Sequence, residues 1–211
     1  MKIAVIGSGR MGKTFSQLLK EFDHHITLGC RSPQQAELQE WSKSHNIPCT
    51  GMSDAMQLAD VILLALPYEA ALLQAKASGH LKSKIVIDIT NPVTPDLKGM
   101  VTGFTTSAGE QIQQLMPDCH VVKAFNTIIA TLVPQNARQR GEVQTLIASD
   151  NEGAKQEVMQ LATELGFDAV NAGDLIVSRY IEPVAQMTIH LACFCGWGFT
   201  ASPIWRKIAQ N

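Results

Sequence analysis

The chain is poor in charge and in aromatic rings. Of its 211 residues, 17% are Asp, Glu, Lys or Arg, and 6% are Phe, Trp or Tyr. Lys plus Arg (17) nearly balances Asp plus Glu (19), and no basic block occurs. That argues against a dedicated nucleic-acid binder or a polybasic membrane anchor. Cysteines number five, in no C-x-x-C pair and with no zinc spacing to histidine. An odd, scattered set reads as free thiols in a reducing compartment. Cys193 and Cys195 are expected to be buried, and the His24-His25 pair to be solvated. No basic stretch precedes an apolar run at the N-terminus, so no signal peptide is expected. The longest apolar stretch near the C-terminus, Leu191 to Phe199, is too short to span a bilayer. A cytoplasmic protein is the expectation. Also missing are a Ser-His-Asp order, a paired-carboxylate motif and a G-x-x-x-x-G-K phosphate loop.

What is present is an alternation of short apolar runs and helix-length segments. Lys2–Ile6, His25–Leu28, Val61–Leu66, Lys84–Asp88, His120–Ala124, Gln144–Ala148 and Asp168–Asn171 read as strands. Helical patterns fall between them: Lys13–Phe22, Pro33 to about Ser44, Tyr68–Ala77, and a segment capped by Asp150 that ends at Leu165 and Gly166. The fold implied is α/β, a Rossmann-type doubly wound and mainly parallel sheet. After Gly173 no convincing strand remains, and Ile181 to Phe199 has helix periods. The division expected is 1–173 as a dinucleotide-binding domain and 174–211 as a small C-terminal helical segment.

Gly7, Gly9 and Gly12 form G-x-G-x-x-G between a buried strand and an amphipathic helix, the context that gives this pattern meaning. The first glycine permits a tight turn, the second lets a pyrophosphate approach the backbone, and the third lets helix and strand pack closely. Ser8, Arg10 and Met11 complete the loop. At the second strand end, where NAD-specific folds carry an acid, stand Cys30, Arg31 and Ser32. A guanidinium and a hydroxyl there favour a 2′-phosphate, and so NADP over NAD. Three more strand ends, carrying Leu66 and Pro67, Asn91 and Pro92, and Asn126 and Ile128, look like the rim of a nicotinamide pocket.

With these segments on the page, the chain resembles the deazaflavin (coenzyme factor 420)-dependent NADP oxidoreductase family. It is also similar to the cytosolic reductase domain of the six-transmembrane metalloreductases. The carriers are Ile6–Gly12, Gly29–Ser32, Leu66–Glu69, Val122–Ile128 and the tail from Gly173 to Gly198. The chain departs from the family in having Ser32, Pro33 and Gln34 after Arg31, where a second basic residue is frequent. The metalloreductases' membrane domain has no counterpart in these residues, so ferric reduction across a membrane is not expected.

The resemblance implies NADP(H) held by the glycine loop, Arg31 and the Asn126 loop, with a second redox partner stacked beneath the C-terminal helices. The expected reaction is hydride transfer between NADP(H) and a deazaflavin or flavin-type acceptor, by positioning rather than by a catalytic side chain. Met187, Trp197 and Phe199 are the expected acceptor wall. Two alternatives stay open. One is an NADP-dependent reductase of a small carbonyl or imine compound, with His190 or Tyr180 as proton donor. The other is a dinucleotide-binding sensor without turnover. The apolar tail further suggests a homodimer.

Overall fold

A computed structural model describes residues 1–208. Three residues of the expected C-terminal segment, 209–211, lie outside the described residues. The strands are β1 (Lys2–Ile6), β2 (His25–Cys30), β3 (Cys49–Gly51), β4 (Val61–Leu64), β5 (Ile85–Asp88), β6 (His120–Lys123), β7 (Gln144–Ala148) and β8 (Asp168–Gly173). They form one sheet in the order β3-β2-β1-β4-β5-β6-β7-β8. All neighbours run parallel except β6 and β7. The expected doubly wound, mainly parallel sheet is therefore present.

Seven α-helices cover the two faces among the described residues: α1 (Arg10–Glu21), α2 (Ala36–His45), α3 (Met52–Leu58), α4 (Tyr68–Ala77), α5 (Ala108–Leu115), α6 (Glu152–Glu164) and α7 (Ser178–Phe194). Both faces of the sheet are buried, which is why the strands read as unbroken apolar runs. On β1, Ile3 and Val5 belong to one core layer with Phe15, Leu18 and Leu19 of α1. Ala4 and Ile6 belong to the other, with Met56 of α3 and Ala71 and Ala75 of α4.

Several local expectations need correction. Helix α1 begins at Arg10, so the glycine loop is shorter than expected and Arg10 is already helical. β3, α3 and α5 were not anticipated; β3 is only three residues long and α3 seven, and runs that short carry little periodicity. α6 is capped by Asn151, whose Oδ1 accepts the Ala154 N–H at 2.8 Å. Asp150 instead accepts the Leu175 N–H at 2.9 Å, tying the end of the sheet to the chain after it. α7 stops at Phe194, which leaves Cys193 and Cys195 exposed rather than buried. His24 is buried, its ring between the N-terminal amine (3.4 Å) and Glu164 (3.5 Å), and burial lowers its pKa.

Candidate functional site

The direction of sheet growth reverses between β1 and β4, since β2 lies to one side of β1 and β4 to the other. Crevices at such switch points, beyond the carboxyl ends of the strands, are where doubly wound sheets bind ligands. The glycine loop after β1 sits at this point. Gly7 has φ +120, and its N–H donates to the Gly29 carbonyl at 2.8 Å. A Cβ at Gly7 would strike the Ala65 carbonyl, and one at Gly12 would strike the Gly7 carbonyl. Packing alone therefore requires glycine at both positions.

Gly9 is different. Its φ of −74 is open to any residue, and a Cβ there would meet no protein atom within 4 Å. Nothing in the protein's own packing calls for glycine at this position. A ligand that must approach the backbone does, and the N-terminal N–H groups of α1 stand beside it.

The rim residues divide between two cavities. The first, of about 370 Å³, is lined by Arg31, Met52, Leu66, Pro67, Ala70, Leu73 and Gln74. Leu66 and Pro67 thus share a cavity with Arg31 rather than with Asn91 and Asn126. Arg31 and Ser32 are exposed; Cys30 is buried, with its Sγ 3.1 Å from Cys49 Sγ on the neighbouring strand. The Cys30 thiol therefore faces β3, and only its backbone borders the loop. Burial, with the Cys30 contact adding to it, pushes the Cys49 thiol up to about 12.

The second cavity, of about 340 Å³, lies between the loops after β5 and β6 and the C-terminal helix α7. Arg10, Met11, Asn91, Asn126 and Ile128 line it on the sheet side; Ala185, Thr188, Ile189, Ala192, Cys193 and Phe199 line the other. Asn91 and Asn126 clasp each other on that sheet side: Asn91 Nδ2 donates to the Asn126 carbonyl at 2.8 Å, and Asn126 Nδ2 donates to Asn91 Oδ1 at 2.9 Å. Asn126 Oδ1 is buried and has no hydrogen-bond partner. An orphaned acceptor in such a place suits an amide donor such as a nicotinamide carboxamide. Pro92, buried next to Asn91, sets the loop backbone.

Phe125 explains how Asn126 comes to be there. Its φ is +57, a conformation that costs about 1–2 kcal/mol for a bulky residue. Two contacts hold it: its N–H donates to Thr145 Oγ1 at 2.7 Å, and its ring packs between Phe15 and Phe167 at centroid distances of 5.3 and 5.6 Å. The sequence showed a Phe before an Asn but nothing of this turn.

Beneath the clasp lies a charge cluster that sequence reading missed. Lys123, Asp88 and Glu182 are all fully buried. Lys123 Nζ donates to Asp88 Oδ2 at 2.7 Å and to the Thr90 carbonyl at 2.8 Å, and it pairs with Glu182 Oε1 at 2.8 Å. Glu182 also accepts the N–H groups of Ala108 and Gly109 at the start of α5. Burial works against the charged ammonium, but the two carboxylates overcome it and raise the Lys123 pKa; burial raises that of Glu182, and Lys123 pulls it back. These bonds fasten α7 to the sheet beside the Thr90–Asn91 loop. No single residue announced them, because the three positions are far apart in sequence.

The three residues expected to form one wall do not share a cavity. Phe199 lines the second cavity, but Met187 and Trp197 line a neighbouring groove, with Val184, Leu191, Pro203 and Trp205, that meets the cavity at Thr188. His190 and Tyr180 line neither; Tyr180 is exposed and His190 packs against Phe194. Helical geometry decides this, since the cavity face of α7 runs through 185, 188, 189, 192 and 193.

Known proteins resemble this chain in sequence and fold. Residues 2–92 match the family "NADP oxidoreductase coenzyme F420-dependent". The chain is 29% identical to the F420-dependent NADP reductase of Methanocaldococcus jannaschii, over 90% of this chain and 92% of that one. It is 31% identical to metalloreductase STEAP2 of Mus musculus over 85% of this chain, but spans only 35% of that protein's length. A crystal structure from Arthrobacter sp. FB24, described as an F420-dependent NADP-reductase, superposes with a TM-score of 0.86 at 29% identity, over 98% of this chain and all of that one. A reductive aminase of Aspergillus terreus, at 15% identity and a TM-score of 0.67, shares the fold. From the glycine loop to the C-terminal helix, the chain is thus related to NADP-dependent oxidoreductases, and its residues 2–92 carry the pattern of the coenzyme F420-dependent family.

Proposed function

We propose that this protein transfers hydride between NADP(H) and a flat ring acceptor, a deazaflavin or flavin, in the cytoplasm and as a homodimer. The observation that carries the reading is the chemistry of the second cavity. Its walls hold no carboxylic acid, imidazole or phenol. A carbonyl or imine reductase needs a proton donor at the reacting atom. A ring acceptor does not: hydride adds to the central ring, and the proton required at a ring nitrogen comes from water. The protein's share is then to hold two rings face to face and to exclude water from between them.

In this reading Gly7, Ser8, Gly9 and Gly12 cradle the pyrophosphate. Arg31 and Ser32 take the 2′-phosphate, with Leu66 and Pro67 beside the adenosine. Asn126 receives the carboxamide, oriented by Asn91. NADPH supplies the hydride when bound. α7 and Phe199 form the opposite wall, so the segment after Gly173 completes the site that residues 1–173 begin. The free thiols suit a reducing compartment.

The test follows NADPH consumption with deazariboflavin, FMN and riboflavin. Reduction of at least one, with hydride passing directly from deuterated NADPH, is expected. NADPH binding without reduction of any ring acceptor overturns the reading. Turnover of a carbonyl or imine panel would then select the small-substrate reductase, and binding without any turnover the sensor.

A further inference from the structure

Among the described residues, Arg10 is the one charged side chain lining the second cavity. It is exposed, and among the described residues its guanidinium makes no ion pair or hydrogen bond. The neighbouring cations are engaged elsewhere. Lys13 pairs with Glu37 and lies over the Trp41 ring. Arg31 lines the other cavity. The remaining wall is apolar or neutral: Ile89, Leu97, Ile129, Ala130 and the small face of α7.

In open solvent an unpaired guanidinium costs little. The balance changes when two stacked rings fill the cavity and displace the water around it. A charge losing its hydration without a partner is strongly disfavoured. A neutral acceptor would impose that loss. An acceptor bearing an anionic group on its side chain would offset it with a charge-assisted, bidentate bond. The cofactor's pyrophosphate has other partners in this reading, the loop amides and the N-terminal end of α1.

We propose that Arg10 determines acceptor specificity by pairing with a phosphate or carboxylate carried on the side chain of the acceptor ring. The inference rests on the hydride-transfer reading for its role in turnover, but its binding consequence stands apart from turnover. FMN and riboflavin share one ring system and differ by a phosphate; deazariboflavin and its 5′-phosphate differ in the same way. Two readouts apply to each pair: kcat/KM with saturating NADPH, and equilibrium binding to NADP-saturated protein.

The phosphorylated member of each pair is expected to be favoured about tenfold or more, the range for a charge-assisted bond. Arg10→Gln should bring the ratio to within about twofold of unity, Arg10→Lys should restore part of it, and added salt should compress it. Equal binding of FMN and riboflavin by the unaltered protein overturns the proposal, whether or not either is reduced. So does a ratio that survives Arg10→Gln. If Arg10→Gln weakens NADPH binding and leaves the ratio intact, the side chain serves the pyrophosphate and the proposal fails. If the binding ratio behaves as expected but no ring is reduced, Arg10 recognises anions as proposed and the hydride-transfer reading falls by itself.

Discussion

At the scale of single residues, the three glycines of one motif should behave differently when changed. Gly9→Ala places a methyl group in open space at an ordinary φ, so its melting temperature should match that of the unaltered protein. NADPH affinity should fall, by about tenfold or more, because the methyl occupies the approach to the backbone. Gly12→Ala drives a methyl into the Gly7 carbonyl and should lower stability itself. Thermal melts paired with titration calorimetry separate the two; an equal loss of stability in both variants refutes the distinction. Arg31→Ala should weaken NADPH by about 1.5–3 kcal/mol and leave NADH nearly unchanged, the signature of a lost 2′-phosphate contact. Equal losses for the two nucleotides would count against it.

At the scale of elements, the site depends on how α5 and α7 are tied together. Arg179 of α7 forms a bidentate pair with Glu110 of α5, at 2.9 and 2.7 Å. Burial alone would raise the Glu110 carboxyl, but Arg179 and Ser107 overcome it and hold it below the ordinary range. A depressed folded pKa adds stability above the unfolded value, and that stability is lost as pH falls through the folded one. Wild type should therefore lose part of its stability below the usual carboxylate range of about pH 4. Glu110→Gln should be less stable at neutral pH and should show a shallower acid slope. Urea melts across the acid range decide it, and parallel slopes for both proteins would refute the pairing. Lys123→Met is the sharper change. It leaves Asp88 and Glu182 buried without their cation and should cost about 3–5 kcal/mol.

The whole molecule presents an apolar surface outside the site. Met187 and Trp197 are 56% and 63% exposed, and Trp205 is 62% exposed, all on the neighbouring groove. A contiguous patch of this kind marks an association surface. A second copy of the chain is the proposed occupant, since sealing this groove would also steady the helix that walls the second cavity. Sedimentation at micromolar concentration should give about twice the 23.0 kDa chain mass. A strict monomer across the concentration range would exclude the dimer. Among the described residues no helix is long and apolar enough to cross a membrane.

The sequence by itself determined what local physics controls. Buried strands on both faces leave unbroken apolar runs, so β1, β4 and β5 were legible. A glycine loop between such a strand and an amphipathic helix fixed the switch point of the sheet, and the missing acid after β2 pointed to Arg31. Only the tertiary structure decided which rim residues share a cavity. Leu66 and Pro67 went to Arg31, because β4 and β2 flank β1 in the sheet, and Asn91 went to Asn126, because β5 and β6 lie side by side. The same holds for the Asp88–Lys123–Glu182 cluster, assembled from two strands and a helix, and for the positive φ of Phe125, held by Thr145 and two distant rings. It holds as well for α7, where a shift of one helical position separates Thr188, which lines the second cavity, from Met187, which lines only the neighbouring groove. Periodicity showed that this helix has an apolar stripe, but which side meets the cofactor depends on what it packs against, and that information lies in the rest of the chain.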